Sequence, residues 1–272
     1  MFEKNFVITD KNAEEYVGKI GGFIRERVNA AARKGIVLGM SGGLDSAVAA
    51  RLCQAAGVPV LPVMLPDGKS METSKSMEHA VLLMDKFGFE YKVINIGKAC
   101  AEIEKAAGEA CHGDGIHADG NKQVVAAPDK GTLSDISKIN IRPRVRMTVL
   151  YSLAQTMQRF VMGTGNLSER LLGYFTKWGD GASDLNPLGL LVKGEVRILA
   201  RALGVPREII DKAPSADLYE GQTDESDLGI SYAEIDAYAL TGTSGSAKAD
   251  GKIKARIGMS LHKNNPVPIF AG

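Results

Sequence analysis

Strand-like and helix-like runs alternate through the first part of the chain, and this rhythm narrows its fold more than any other feature. "GIVLGM" (35–40), "VPVLPVML" (58–65) and "YKVINI" (91–96) are short apolar runs of buried-strand length. Between them, "DSAVAARLCQAAG" (45–57) and "SKSMEHAVLLMDKFG" (74–88) carry helical spacing, and later "VRMTVLYSLAQTM" (145–157) predicts a helix before a further strand in "RFVMGTG" (159–165). A βαβαβ order requires crossovers, so the expected fold is α/β: a doubly wound parallel sheet with helices on both faces. Upstream, Ala13, Val17, Ile20, Ile24, Val28 and Ala31 recur at spacings of three and four, an amphipathic helix that Gly35 ends. The C-terminal part, with "VRILARALG" and "YAEIDAYAL", reads as helical.

One stretch breaks the pattern. Residues 108–135, rich in glycine and polar side chains, have neither periodicity and are expected to form a flexible loop serving as a lid. Cys111, His112, Asp114, His117 and Asp119 crowd this loop, but a structural zinc site draws paired ligands from two places, and no second Cys/His pair lies nearby. With 272 residues and no internal repeat, a single domain spanning 1–272 is expected. A net charge of +1 lacks the basic excess of nucleic-acid binders, so no nucleic acid is expected as partner. No membrane is expected either, because no apolar window approaches the length of a span and the N-terminus lacks a signal-peptide core; a cytoplasmic location follows. Cys53, Cys100 and Cys111 are odd in number and widely spaced, which fits a reducing compartment.

The chemistry is concentrated where the first strand turns into its helix, at "SGGLDS" (41–46). A strand running through Ser-Gly-Gly into a helix aims backbone N–H groups at the positive end of that helix, where phosphate oxygens bind. Gly42 and Gly43 permit close approach, and Ser41 and Ser46 supply hydroxyls. Asp45 makes sense beside a polyanion only if a cation bridges the two, and Mg²⁺ is the usual one. The bland reading is a tight turn with Asp45 as a first-turn charge, and the lysine of the commonest ATP-binding loop is missing.

SGGLDS resembles the SGGxDS loop of the N-type ATP pyrophosphatases, which cleave ATP between the α and β phosphates. Downstream, "NIRPRVRM" (140–147), "GTGNLSE" (163–169), "GYFTKWGDG" (173–181), "PSADL" (214–218) and "GQTDE" (221–225) resemble, in order, the ammonia-dependent NAD synthetases. The resemblance implies an adenine nucleotide alpha hydrolase-like fold and the conversion of deamido-NAD, ATP and ammonia to NAD, AMP and pyrophosphate through an acyl-adenylate. Residue by residue, it implies that Ser41, Gly42, Gly43, Asp45, Ser46, Thr164, Lys193 and Ser215 hold ATP, and that Asp45 and Glu169 bind Mg²⁺. Asn140, Arg144, Lys177, Asp180, Asp184, His262 and Lys263 would take deamido-NAD, with Asp180 and Lys193 catalytic and Asp180 positioning or deprotonating the incoming ammonium. Arg144 and Arg146 occupy alternate helix positions and are not expected to face one site.

Two departures from the family pattern stand out. "MLPDGK" lacks the arginine that many members carry before Leu-Pro, which bears on the adenine contacts, and Asn264 replaces a frequent arginine. The resemblance further implies a homodimer, with the helix of 142–156 near the interface. It also favours free ammonia over glutamine, since no room for an amidase domain is expected and none of the cysteines is placed as a nucleophile. Two other readings compete: another N-type pyrophosphatase, such as a tRNA-thiolating or GMP-forming enzyme, and a nucleotide-binding regulator without catalysis. Near-neutral charge opposes the first for tRNA, and the paired acids Asp45 and Glu169 oppose the second.

Overall fold

The computed structural model describes residues 3–68, 74–111, 133–214 and 223–270, together with the backbone of 115–116 and 122–123. Four strands, β1 (Ile36–Gly39), β2 (Val60–Met64), β3 (Lys92–Val93) and β6 (Phe160–Met162), form one parallel sheet in the order β3-β2-β1-β6. A separate two-stranded antiparallel ribbon pairs β4 (Gly115–Ile116) with β5 (Lys122–Gln123). The third sheet strand is shorter than "YKVINI" suggests, because β3 is an edge strand and pairs with β2 through only two residues.

Both faces of the sheet are buried, as parallel sheets require. Successive β1 residues point to opposite sides: Ile36 and Leu38 enter a core shared with Ile24 of α1 (Ala13–Ala30), Ala47 and Leu52 of α2 (Leu44–Ala55), Leu83 of α3 (Lys75–Phe87) and Val196 of α7 (Lys193–Ala202). Val37, with Val63 and Val161, faces Cys100 of α4 (Gly97–Ala110) and Val145 and Ala154 of α5 (Asp135–Thr156). The doubly wound α/β fold expected from the sequence is the one observed. A third core, built on Leu172, Tyr232, Ile235 and Ile253, joins α6 (Leu167–Leu172) to α10 (Tyr232–Thr241) and α11 (Ala247–Asn264). Two short helices, α8 (Arg207–Ile210) and α9 (Asp224–Leu228), lie between α7 and α10.

Two boundaries differ from expectation. Helix α4 runs through Gly108 to Ala110, into the expected loop, and α5 begins at Asp135 rather than at residue 142. Ser134 caps α5 by accepting from Ser137 N, and Pro143 is carried inside the helix. The rest of the expected lid, with His112, Asp114, His117 and Asp119, lies outside the described residues or, for 115–116 and 122–123, is described by backbone alone. Among the described residues no helix is long and apolar enough to cross a membrane.

The N-terminal arm is fastened to the start of α7. Glu195, 3% exposed, accepts from Ile8 N at 2.9 Å and from Val192 N at 3.0 Å, and pairs with Lys4 Nζ at 3.0 Å. Removing one partner of a buried pair leaves an uncompensated charge, at about 3–5 kcal/mol. Glu195→Ala should therefore lower the free energy of unfolding by about that amount in denaturant titration, and a loss below about 1 kcal/mol would contradict this account.

Candidate active site

In a strand order of β3-β2-β1-β6 the chain's path reverses between β1 and β6, and a crevice opens at the carboxyl ends of those two strands. From β1 comes the SGGLDS turn; from β6 come Gly163 to Asn166 and then α6, whose capping box uses Asn166 and Glu169. The phosphate-cradle sequence and the second acidic motif, far apart in the chain, thus face each other.

The turn after β1 is compact. Ser41 Oγ accepts from Gly43 N at 3.2 Å and lies 3.1 Å from Ser46 Oγ, which donates to Gly43 O at 3.0 Å. Gly42 has φ +78°, and a Cβ there would lie 1.8 Å from the carbonyl oxygen of Ser76. Left-handed backbone and lack of space both demand glycine. Gly42→Ala should cost about 1–3 kcal/mol from strain alone and abolish saturable Mg-ATP binding in a titration; unchanged binding would show that the turn is not the phosphate cradle.

Across the crevice, Lys193 reaches from the first turn of α7 to bridge both acids: its Nζ lies 2.5 Å from Asp45 Oδ2 and 3.1 Å from Glu169 Oε1. It is 3% exposed, where an isolated lysine would be solvated. Asn166 Nδ2 donates to the other Asp45 oxygen at 3.0 Å, so Asp45 is held from two sides. Burial pushes the Glu169 carboxyl above the usual carboxylate range; the Lys193 ammonium works against this and the Asp45 charge adds to it. Burial alone would depress the Lys193 ammonium, but the two carboxylates outweigh it and hold its pKa above the ordinary lysine value. Two anions are thus kept close by one cation, a geometry that also suits a divalent ion. The hard carboxylate oxygens are of the type Mg²⁺ prefers, and the ammonium occupies the position of a bridging cation. Thr164 lies half-buried in the turn after β6, beside this bridge in sequence, whereas Ser215 lies outside the described residues.

A second group of side chains gathers around residues 173–184. Asn140 Oδ1 accepts from Thr176 Oγ1 at 2.6 Å, and Asp180 Oδ1 accepts from Thr176 N at 2.9 Å. Lys263 Nζ donates to Gly173 O and Phe175 O at 2.7 and 2.8 Å, and Lys177 Nζ donates to His262 O at 2.5 Å. Arg144 Nε approaches Lys177 O at 3.4 Å. Asp184 also serves the strand: its Oδ2 accepts from Val161 N at 2.7 Å, and Tyr151 OH lies 3.5 Å from its Oδ1. Desolvation of its carboxyl raises Asp180 above the ordinary range against the Thr176 N–H and the Lys263 charge, although the residue as a whole is exposed. Arg146 diverges from Arg144 as the helix spacing requires, its Nε donating to Leu65 O at 3.0 Å.

The departures from the family pattern have structural places. Met64 is fully buried in the sheet core, and Asn264 Nδ2 donates to Arg170 O at 2.8 Å, fastening the end of α11 to α6. Sequence reasoning missed Asn166, although N-L-S-E is a legible cap, and it missed Tyr232 and Asp236, which lie four apart on the buried side of α10. A tyrosine and an acid at helical spacing beside Ile235 are the signal that was available for the latter two.

Residues 16–266 match the family model described as NAD synthase. The NH(3)-dependent NAD(+) synthetase of Archaeoglobus fulgidus is 39% identical over 263 residues, covering 95% of this chain and 97% of that protein. That of Thermococcus sibiricus is 43% identical over 222 residues, covering 81% and 77%. Among solved structures, the NMN synthetase from Francisella tularensis superposes with a TM-score of 0.83 at 34% identity, covering 98% of this chain and 100% of that one. The NH3-dependent NAD synthetase from Campylobacter jejuni superposes with a TM-score of 0.74 at 27% identity, covering 95% and 99%. With the family model spanning nearly the whole chain, and the crevice carrying its acids and lysine in contact, this chain belongs to the NAD synthase family.

Proposed function

We propose that this family member amidates the nicotinate carboxylate of deamido-NAD with ammonia, converting ATP to AMP and pyrophosphate. The observation that carries the reading is the Lys193 bridge between Asp45 and Glu169, set against the SGGLDS turn at the switch point of the sheet. A carboxylate is a poor electrophile, so the nicotinate oxygen attacks the α-phosphorus first, forming an acyl-adenylate as pyrophosphate leaves. Ser41, Gly42, Gly43 and Ser46 bind the phosphates, with Thr164 and Ser215 completing the nucleotide site. Lys193 stabilises the charge that grows on phosphorus and on the leaving oxygens. Asp45 and Glu169 would hold Mg²⁺, which when bound supplies neutralisation of the pyrophosphate charge. Asn140, Arg144, Lys177, His262 and Lys263 orient the second substrate, Asp184 holds its loop against β6, and Asp180 takes the proton that ammonium must lose before attack on the carbonyl.

Free ammonia fits two of the three cysteines. Cys53 and Cys100 are buried, and burial pushes the Cys53 thiol up to about 12, the reverse of an activated nucleophile. A homodimer in the cytoplasm completes the proposal; a monomer mass in light scattering at assay concentration would remove the dimer.

The deciding assay combines Mg-ATP, ammonium chloride and deamido-NAD and follows nucleotides. AMP and NAD should appear in equal amounts, with glutamine a negligible substitute, whereas ADP as product would refute cleavage between the α and β phosphates. One observation favours a second reading: the superposition on a structure named NMN synthetase covers almost all of both chains. Nicotinate mononucleotide offered in parallel distinguishes the two, because a higher kcat/KM on the mononucleotide would move the preferred acceptor to the smaller substrate.

A further inference from the structure

Helix α10 sends one buried and one half-buried polar side chain, Tyr232 and Asp236, toward the bridge of Asp45, Lys193 and Glu169. Tyr232 is 1% exposed, and its OH lies 2.9 Å from Asp224 Oδ2 and 3.4 Å from Glu169 Oε1. One turn on, Asp236 makes three contacts with two other helices. Its Oδ1 accepts from Ser168 Oγ at 2.5 Å and from Lys193 N at 3.2 Å, and its Oδ2 accepts from Gly194 N at 2.7 Å. Lys193 N also donates to Ser168 Oγ at 3.1 Å.

These contacts solve a local problem. The first N–H groups of a helix have no partner within it, and the N-cap of α7 is Val192, whose side chain cannot accept a hydrogen bond. Asp236 therefore caps α7 from a distance, satisfying the N–H groups of Lys193 and Gly194. Gly194 leaves room for this, since a Cβ there would lie 3.2 Å from Asp236 Oδ2. Through Ser168 the same carboxylate grips α6 at the residue before Glu169. One side chain thus joins the turn that presents the bridging cation to the turn that presents one of its acids.

We propose that Asp236 is a positioning residue for ATP cleavage, setting the separation of Lys193 from Glu169 through the Ser168 and α7 backbone contacts. The inference rests on reading this crevice as the ATP site. Neither oxygen of Asp236 touches a reacting atom; its effect is exerted through the geometry of its neighbours. An amide cannot replace it, because in either orientation its NH₂ would face one of the two backbone N–H donors.

The test compares Asp236→Asn with Ile235→Val, a change at a fully buried neighbour on the same helix that lowers stability without touching the bridge. A displacement near 1 Å costs on the order of 10–100-fold in rate, so Asp236→Asn should lower kcat for AMP formation by that factor. Its KM for deamido-NAD should stay within about twofold, as that substrate's side chains lie elsewhere. Ile235→Val should lose melting temperature and keep its kcat. Ser168→Ala combined with Asp236→Asn should cost less than the product of the two single losses, because Ser168 and Asp236 belong to one hydrogen-bond cluster around Lys193 N. A kcat loss in Asp236→Asn no larger than that of Ile235→Val at matched melting temperature would overturn the proposal. So would losses in the double variant that multiply. Titration with Mg-ATP alone reads positioning without any acceptor: weaker binding in Asp236→Asn is expected, and unaltered affinity would count against it. If the wild-type chain made no NAD while that weakening was observed, the proposed function would fail and the positioning role would stand.

Discussion

Lys193→Met should reduce AMP formation by on the order of 10²–10³-fold, the usual effect of removing one preorganised charge from a developing transition state. It should also destabilise the protein when no divalent cation is present. Asp45 and Glu169 would then share a buried crevice without their cation, and breaking a buried pair costs about 3–5 kcal/mol. The pH dependence has a definite sign. The folded-state pKa of Lys193 is raised, so its contribution to stability is present below the ordinary lysine value and is lost as pH rises through the folded one. In the methionine variant that contribution disappears. Glu169, already raised by burial, then rises further, and stability falls as pH climbs from the ordinary carboxylate range toward that higher value. Magnesium chloride should raise the melting temperature of Lys193→Met more than that of wild type, since a divalent ion binding the two carboxylates need not displace an ammonium. Equal magnesium shifts in the two proteins would show that Asp45 and Glu169 do not form the cation site.

The fold was legible because its signal is local. Alternating apolar runs and helical spacings survive in any single window, so the sheet, its parallel sense and the covered faces follow from "GIVLGM", "VPVLPVML" and their helices. Strand length was less legible: nothing in "YKVINI" marks it as the edge of the sheet, where the regular ladder covers Lys92 and Val93 and continues only as single bonds from Ile94 N to Met64 O and Ile96 N to Pro66 O. The start of α5 was misjudged for another reason. Apolar spacing marks the helix from 142 to 156, but it continues upstream through polar residues to its Ser134 cap, with Pro143 carried inside.

At the site, the turn chemistry of residues 41–46 could be read from physical rules, whereas the partners of Asp45 could not. Asp45 and Lys193 are 148 residues apart, and no spacing rule brings them together. Family resemblance implied only that both belong to the ATP site, and the contact itself is a property of the fold. Lys193 illustrates the difference: in sequence it is an ordinary helix-start lysine, and its burial depends on α6, α7 and α10 packing around it. Asp184 shows the converse. Grouped with the substrate side chains by resemblance, it spends its oxygens on Val161 N and Tyr151, holding the loop that carries Asp180 against β6.

Asp180→Asn should separate the two halves of the reaction. Its carboxylate lies on an exposed turn, accepts from Thr176 N and lies near the Lys263 charge, in a loop fastened by Asn140 and Lys263. An amide preserves the shape and can still accept from Thr176, but it cannot receive the proton that ammonium gives up. Ammonia attack should therefore slow by about 10²–10⁴-fold, the usual contribution of a positioned base. Adenylation needs no base at this position, so pyrophosphate exchange into ATP in the presence of deamido-NAD should continue near the wild-type rate. Because Asp180 sits on an exposed turn, the change should leave the melting temperature at pH 7 nearly unaltered while NAD formation collapses. Loss of exchange together with amidation would place Asp180 in adenylation instead, and wild-type NAD formation by the variant would remove it from the mechanism.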